Sequence, residues 1–137
     1  MKLEYKATSD RSFDEVVANV ERLSAEKQFR VLHIHDIQAN LAEKGFQREP
    51  LKIIEICNGK FAHEVLQANI AVSIFLPCKI NVYSENGKTK ILAMRPAALS
   101  EIMPHSGIDK LAKEVDRIII DIVDAATAGK ENLIGSS

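Results

Sequence analysis

The sequence predicts an α+β fold, an antiparallel sheet of about five strands with helices gathered on one face. A long amphipathic helix is indicated near the C-terminus, where apolar residues recur at helical spacing from Ile108 to Ala126. The Asn86-Gly87 dipeptide between two apolar runs is typical of a tight hairpin, because both turn positions need a positive φ. Since most of the remaining strand-like segments follow one another, we expect the order β-α-β4-α.

The N-terminal part of the chain predicts a strand followed by a helix. Residues 3–8 alternate between polar and apolar side chains, as a strand with one buried face does. Ser12 and Glu15 have the spacing of a capping box, which begins a helix. Apolar residues then recur at helical spacing to about Lys27, so one face of this helix should pack on the sheet.

A second strand is predicted over residues 29–36, which are rich in β-branched and aromatic residues. Alternation places Leu32 and Ile34 on the core face and three residues on the opposite face, namely Val31, His33 and His35. Asp36 is predicted to cap a short helix that ends at Gly45.

Two further strands are predicted to bring the only two cysteines together. Residues 51–57 form an apolar strand that ends at Cys57. Residues 72–84 alternate, which predicts one long strand with Cys78 on its apolar face and a kink or edge at Pro77. If these two strands pair, the two cysteines lie near each other at one edge of the sheet.

The chain is expected to form a single domain over residues 1–128, with a flexible tail over residues 129–137. Its 137 residues suffice for one two-layer core. Hydrophobic residues make up 46% and charged residues 27%, as in ordinary soluble domains. A net charge of -1 without any long basic run disfavours nucleic-acid binding. Because no segment resembles a secretory signal or a membrane span, we expect a cytoplasmic protein without a membrane partner.

Cys57 and Cys78 are the candidate catalytic residues. Cytoplasmic thiols are kept reduced, so two free thiols or a transient redox pair are favoured over a structural disulfide. Cys57 precedes a predicted helix whose N-terminus would lower its pKa, and it could then attack as a thiolate that Cys78 resolves. The alternative is that both cysteines are buried apolar side chains, which is the usual state of free cysteine.

A small-molecule pocket is predicted between the sheet and the C-terminal helix. Its candidate ligand-binding residues are Cys57, Asn58, Phe61 and Cys78, of which Asn58 should also cap the helix that carries Phe61. A weak metal site would combine Cys57, His63 and Cys78, but their spacing matches no recognised zinc pattern, so no metal is expected. No cofactor is expected either, because the sequence has no glycine-rich phosphate loop and no serine-centred nucleophile elbow.

The sheet face away from the helices is predicted to be an interface, because it is more apolar than free exposure would favour. Its candidate residues are His33, His35, Phe75 and Tyr83. An isologous homodimer through this face, or through an edge strand, is the simplest partner.

Several short segments resemble the prokaryotic family called domain of unknown function 302, over about residues 10–104. These segments are His35-Asp36, Lys44-Gly45, Ile56-Cys57-Asn58, Leu76-Pro77-Cys78 and Val82-Tyr83. The resemblance implies a TATA-binding-protein-like β-α-β4-α fold and small soluble proteins that tend to dimerise, and it implies no established activity. Gly59 departs from the family pattern, in which proline commonly follows the asparagine.

The leading hypothesis is therefore a small homodimeric binding or regulatory module with a pocket near the two cysteines. The alternatives are a thiol-dependent redox or transfer activity, or the weak metal site.

Overall fold

Five antiparallel strands form one sheet, and helices cover one of its faces, in a computed structural model that describes residues 1–129. The strand order is β1-β5-β4-β3-β2, so the N-terminal strand lies at one edge and pairs with the last strand. The predicted α+β class and antiparallel sheet are confirmed. Except for residue 129, the predicted tail lies outside the described residues.

The strands and helices alternate along much of the chain. The strands are β1 (Glu4–Ser9), β2 (Arg30–Asp36), β3 (Leu51–Cys57), β4 (Cys78–Glu85) and β5 (Lys88–Met94). The helices are α1 (Phe13–Glu26), α2 (Ile37–Ala42), α3 (Gly59–Ala68), α4 (Leu99–Ile102) and α5 (Asp109–Thr127). Two short 3₁₀ segments, Ile70–Phe75 and Pro96–Ala98, lie in the connections.

The helix starts and the hairpin follow the local signals in the sequence. The Ser12 hydroxyl accepts a hydrogen bond from the Glu15 amide at 3.2 Å. The carboxylate of Asp36 accepts one from the Ala39 amide at 3.0 Å. Asn86 and Gly87 have φ values of 54° and 79° and close the hairpin between β4 and β5. These predictions needed only nearby residues, and they are confirmed.

Buried side chains divide into two clusters. The main core lies between the sheet and helices α1 and α5, and it is built around residues such as Val16, Ile54, Ile80, Ile119 and Val123. A smaller group, called here the satellite cluster, has five buried members: Val65, Val72, Leu99, Ile108 and Ala112. The satellite cluster joins α3, the Ile70–Phe75 segment, α4 and the start of α5 beside the main core.

The long strand predicted over residues 72–84 is wrong in its first half. Residues Ile70–Phe75 form a 3₁₀ segment, and the strand begins only at Cys78. The side chain of Asn69 accepts a hydrogen bond from the Ala71 amide at 2.9 Å, which starts a helical turn. Val72 and Phe75 then lie three residues apart and pack in the satellite cluster, so their apolar character serves a turn and not a strand.

The assignment of faces in β2 is wrong at two residues. The pairing register between β2 and β3 shifts between Val31 and His33. This bulge leaves Leu32 50% exposed, although it was predicted in the core, and it turns Val31 toward the main core. One extra residue in a strand reverses the alternation on one side of it. Ile34, His33 and His35 keep the faces predicted for them.

An ion pair joins the end of β5 to the middle of α5. Asp116 is only 6% exposed, and its carboxylate accepts from Arg95 Nη2 at 2.8 Å and from Arg95 Nε at 3.3 Å. The Ala97 amide donates to the same carboxylate at 3.2 Å. The backbone amide of Arg95 donates to the carbonyl of Leu3 at 2.7 Å. Sheet edge, 3₁₀ turn and helix are therefore held at one point.

Replacing Asp116 by asparagine should lower the free energy of unfolding by about 2–3 kcal/mol, because Arg95 then keeps a partly buried charge without its partner. Urea unfolding measures this change. Asp121→Asn is the matched control, since Asp121 lies on the exposed side of the same helix, and it should change stability by less than about 0.5 kcal/mol. Equal effects of the two substitutions would contradict the role of the ion pair.

Candidate functional site

A cleft opens between the main core and the satellite cluster. The space that can hold the centre of a water-sized molecule is about 50 Å³, and about 560 Å³ is free of atoms when the open mouth is counted. Its wall is formed by helix α3, the Ile70–Phe75 segment, the end of the sheet and the first half of α5. All four residues predicted to bind a ligand are on its wall: Cys57, Asn58, Phe61 and Cys78.

Strand pairing brings the two cysteines to this cleft. Ile56 of β3 lies opposite Cys78, the first residue of β4, and Cys57 follows Ile56 at the end of β3. The predicted pairing of these strands is confirmed. Both thiols are free and partly buried.

The electrostatic setting keeps both thiols protonated. Burial raises the pKa of Cys57 above its ordinary value. Burial, with a smaller contribution from nearby Cys57, raises the pKa of Cys78 to about 11, although Lys79 opposes this shift. The expectation that the start of α3 lowers the pKa of Cys57 is therefore wrong. Loss of hydration is the cause of the raised pKa, because removing a thiolate from water disfavours the charged form.

Asn58 holds the start of α3 with both halves of its amide. Its Oδ1 accepts a hydrogen bond from the Phe61 amide at 3.0 Å, which confirms the predicted cap. Its Nδ2 donates to the carbonyl of Gln28 at 3.1 Å. The cap is intact with Gly59 as the first residue of the helix. Asn58 thus ties α3 to the turn before β2 through one donor and one acceptor position of its amide.

Much of the cleft wall was not predicted from the sequence. The missed residues come mostly from the satellite cluster and its neighbours: Val65, Val72, Phe75, Met94, Pro96, Leu99, Ile108, Leu111 and Ala112. They lie on four separate segments that meet only in the folded chain. The apolar spacing in α3 and at the start of α5 was the available signal, but it indicates packing and does not separate a core from a cleft.

The predicted interface residues do not all share one face. Phe75 lines the cleft and packs with the satellite cluster, so its assignment to the open sheet face is wrong. His33, His35 and Tyr83 do lie on that face, as their strand positions show. The His33 and His35 rings are 4.4 Å apart between centroids, and His35 Nε2 is 3.3 Å from a carboxylate oxygen of Glu55.

The weak metal candidates are not assembled into a site. Within residues 1–129, no group of three or more His, Cys, Asp or Glu side chains is placed to hold a metal ion. His63 lies on an exposed position of α3 and is not on the cleft wall with Cys57 and Cys78.

Comparison with known proteins identifies relatives of uncharacterised function. Residues 5–126 match the family described as "Domain of unknown function DUF302". A crystal structure of an uncharacterised conserved DUF302 protein from Bacillus stearothermophilus is 30% identical and superposes with a TM-score of 0.86, covering 92% of this chain and 99% of that one. No curated protein matches the chain. The relation to a TATA-binding-protein-like fold stays a prediction.

None of the helices in the described part of the chain is long and apolar enough to cross a membrane. The expected cytoplasmic location is not tested by this finding and stays a prediction.

Iodoacetamide should alkylate both thiols slowly at neutral pH, and Cys57 faster than Cys78, because the higher pKa of Cys78 leaves less of it as thiolate. Below its pKa near 11, the rate at Cys78 should rise about tenfold per pH unit. Mass spectrometry of the two cysteine peptides measures both rates, with Cys78→Ala as the control that isolates Cys57. A thiol that reacts as a thiolate at pH 7 would contradict these pKa shifts.

Proposed function

Because the chain belongs to the DUF302 family, whose description assigns no activity, we propose its function from the site itself: the protein is a small binding module that holds a small molecule in the cleft between α3 and α5. The observation that carries this proposal is the cleft between two separate apolar clusters. Small-molecule sites are typically concave, mostly apolar and largely formed before the ligand arrives.

The location of the cleft also supports binding. Its two sides belong to different packing units, the main core and the satellite cluster. A ligand between them can add contacts to both without replacing a packed core residue. Regulation would follow if the bound molecule changed how α3 packs against α5.

A thiol-dependent redox or transfer activity is supported less well. That chemistry needs an attacking thiolate, whereas burial raises the pKa of both thiols. In addition, the cleft wall contains no histidine or carboxylate that could act as a general base. Cys57 and Cys78 therefore fit best as uncharged wall residues.

Filling the cleft should abolish ligand binding. Ala112, which is 4% exposed, and Ala62 both line the cleft, on α5 and α3. Ala112→Leu and Ala62→Leu should each weaken the binding of the neutral fluorescent probe N-phenylnaphthylamine by at least about tenfold, since the added carbons occupy its volume. A fluorescence titration measures the affinity.

Ala18→Leu is the matched control for these variants, because Ala18 is exposed on α1 and remote in sequence from every wall residue. It should bind the probe as the natural sequence does. Circular dichroism checks that each variant is folded. Probe binding that survives both cleft substitutions, or no binding by the natural sequence, would contradict the proposal.

We also propose that the protein is a homodimer and that a second copy covers the open sheet face. The middle row of this face crosses all five strands, and cross-strand pairing sets its order as Lys6, Leu92, Asn81, Ile53 and His35. Leu92 and Ile53 are half-buried apolar residues near the centre. A face with apolar residues near its centre and polar residues at its ends suits a protein partner.

Asn81 supports a second copy as that partner. It lies on β4, the central strand, where its half-buried side chain is on the open face. A twofold axis along β4 would set Asn81 of each copy against the other, so that each amide donates to and accepts from its mate. The same rotation brings Lys6 of one copy toward the Glu55 side of the other, which pairs opposite charges.

The oligomeric state tests this interface. Analytical ultracentrifugation should find a dimer, and Asn81→Asp should shift it toward monomer by at least about tenfold in dissociation constant, because two carboxylates then meet at the axis. Asn40→Asp is the control, since Asn40 is exposed on α2, and it should leave the dimer unchanged. A monomeric natural protein, or equal effects of the two substitutions, would contradict the interface.

A further inference from the structure

From the chemistry of its wall, and resting on the proposed function, we infer that the cleft selects uncharged ligands and rejects carboxylates and ammonium compounds of the same shape. The ligand class is thus a neutral apolar molecule, with at most a weakly polar group beside the two cysteines. Three features support this selection: the apolar surface of the wall, the absence of charge on its few polar side chains, and the apolar Ile70–Phe75 segment.

The wall offers nothing to pair with a charge. It is almost wholly apolar, and none of the side chains that line it is charged. Aromatic and aliphatic groups from both clusters supply its surface, among them Phe29, Phe75 and Leu111. An ionised group that enters such a space loses its hydration and gains no partner.

The few polar side-chain atoms of the wall are all uncharged. The Asn58 amide uses one acceptor position for the Phe61 amide and one N–H for the Gln28 carbonyl, and what remains of it is a neutral group. Cys57 and Cys78 remain as neutral thiols, because burial raises the pKa of each. A thiol is a weak donor and a weak acceptor, so it tolerates a neutral polar group but compensates poorly for a buried charge.

The Ile70–Phe75 segment beside the cleft is apolar both where it lines the cleft and where it is exposed. In the Ile70–Phe75 segment, Val72 and Phe75 line the cleft. Ile70 and Ile74 of the same segment are 72% and 79% exposed. A ligand that extended along this segment would thus meet the Ile70 and Ile74 side chains, and no charged side chain in the segment could hold its ionised group.

A matched series of competitors tests the inference. Naphthalenemethanol, naphthoate and naphthylmethylammonium share one ring system and carry no charge, a negative charge and a positive charge at neutral pH. Each is titrated against bound N-phenylnaphthylamine with the natural protein. The alcohol should displace the probe at least about thirtyfold more strongly than either ion, because an unpaired buried charge costs several kcal/mol.

Protection of a wall thiol locates the competitors. Cys57 is partly buried on the wall, so bound alcohol should slow its alkylation by iodoacetamide at mildly alkaline pH, and neither ion should do so at equal concentration. A competitor that displaces the probe without protecting Cys57 binds elsewhere, and that result would overturn the assignment of the selectivity to this cleft.

A charge placed in the wall should reverse the preference. Leu111 is half-buried where α5 borders the cleft, so Leu111→Lys introduces a cation that can pair with a carboxylate. This variant should bind naphthoate at least about tenfold more tightly than the natural protein does. Leu111→Gln is the uncharged control of similar length, and it should show no such gain.

The outcomes separate the inference from the proposed function. If the natural protein binds no probe, the binding function itself fails. If the probe binds in a way that Ala112→Leu abolishes, while naphthoate or naphthylmethylammonium competes as well as the alcohol, the function stands and the selection for uncharged ligands is overturned. A variant that fails to fold does not affect this decision, because the competitor series uses the natural protein.

Discussion

The ion pair between Arg95 and Asp116 sets how the end of the sheet meets α5. The Asp116 carboxylate also accepts a hydrogen bond from the Ala97 amide, so the Pro96–Ala98 turn is held against the helix at the same point. Pro96 and the first half of α5 both line the cleft. A charge that costs free energy to bury is thus compensated within a small network, and this network orients one wall of the candidate site.

The cleft exists because the apolar side chains form two clusters instead of one. The main core is closed by α1 and α5 against the sheet. The satellite cluster is formed by α3, the Ile70–Phe75 segment, α4 and the start of α5, which surround the corner where β3 ends and β4 begins. The space left between the satellite cluster and the main core at this end of the sheet is the cleft.

Burial dominates the chemistry of this corner. The loss of water around the Cys57 sulfur disfavours the thiolate and raises the pKa of this thiol, although a helix begins two residues later. Asn58, which caps α3, also accepts a hydrogen bond from the Phe61 amide, a group that would otherwise attract an anion. The cysteines are therefore wall residues of an apolar space, and their position near each other follows from strand pairing without any requirement for redox chemistry.

The sequence by itself determined the features that depend on neighbours along the chain. Residues a few positions apart suffice to specify the caps at Ser12, Asp36 and Asn58, the Asn86-Gly87 hairpin and the apolar stripe of α5. The pattern of strands along the sequence also predicted that β3 pairs with β4, and hence that the two cysteines lie near each other. Only the tertiary structure decided the bulge that exposes Leu32, the 3₁₀ turn that replaces half of a strand, and the cleft wall. The alternation of apolar residues is the same whether they serve a strand, a turn or a wall, and the choice is made by packing between segments distant in sequence.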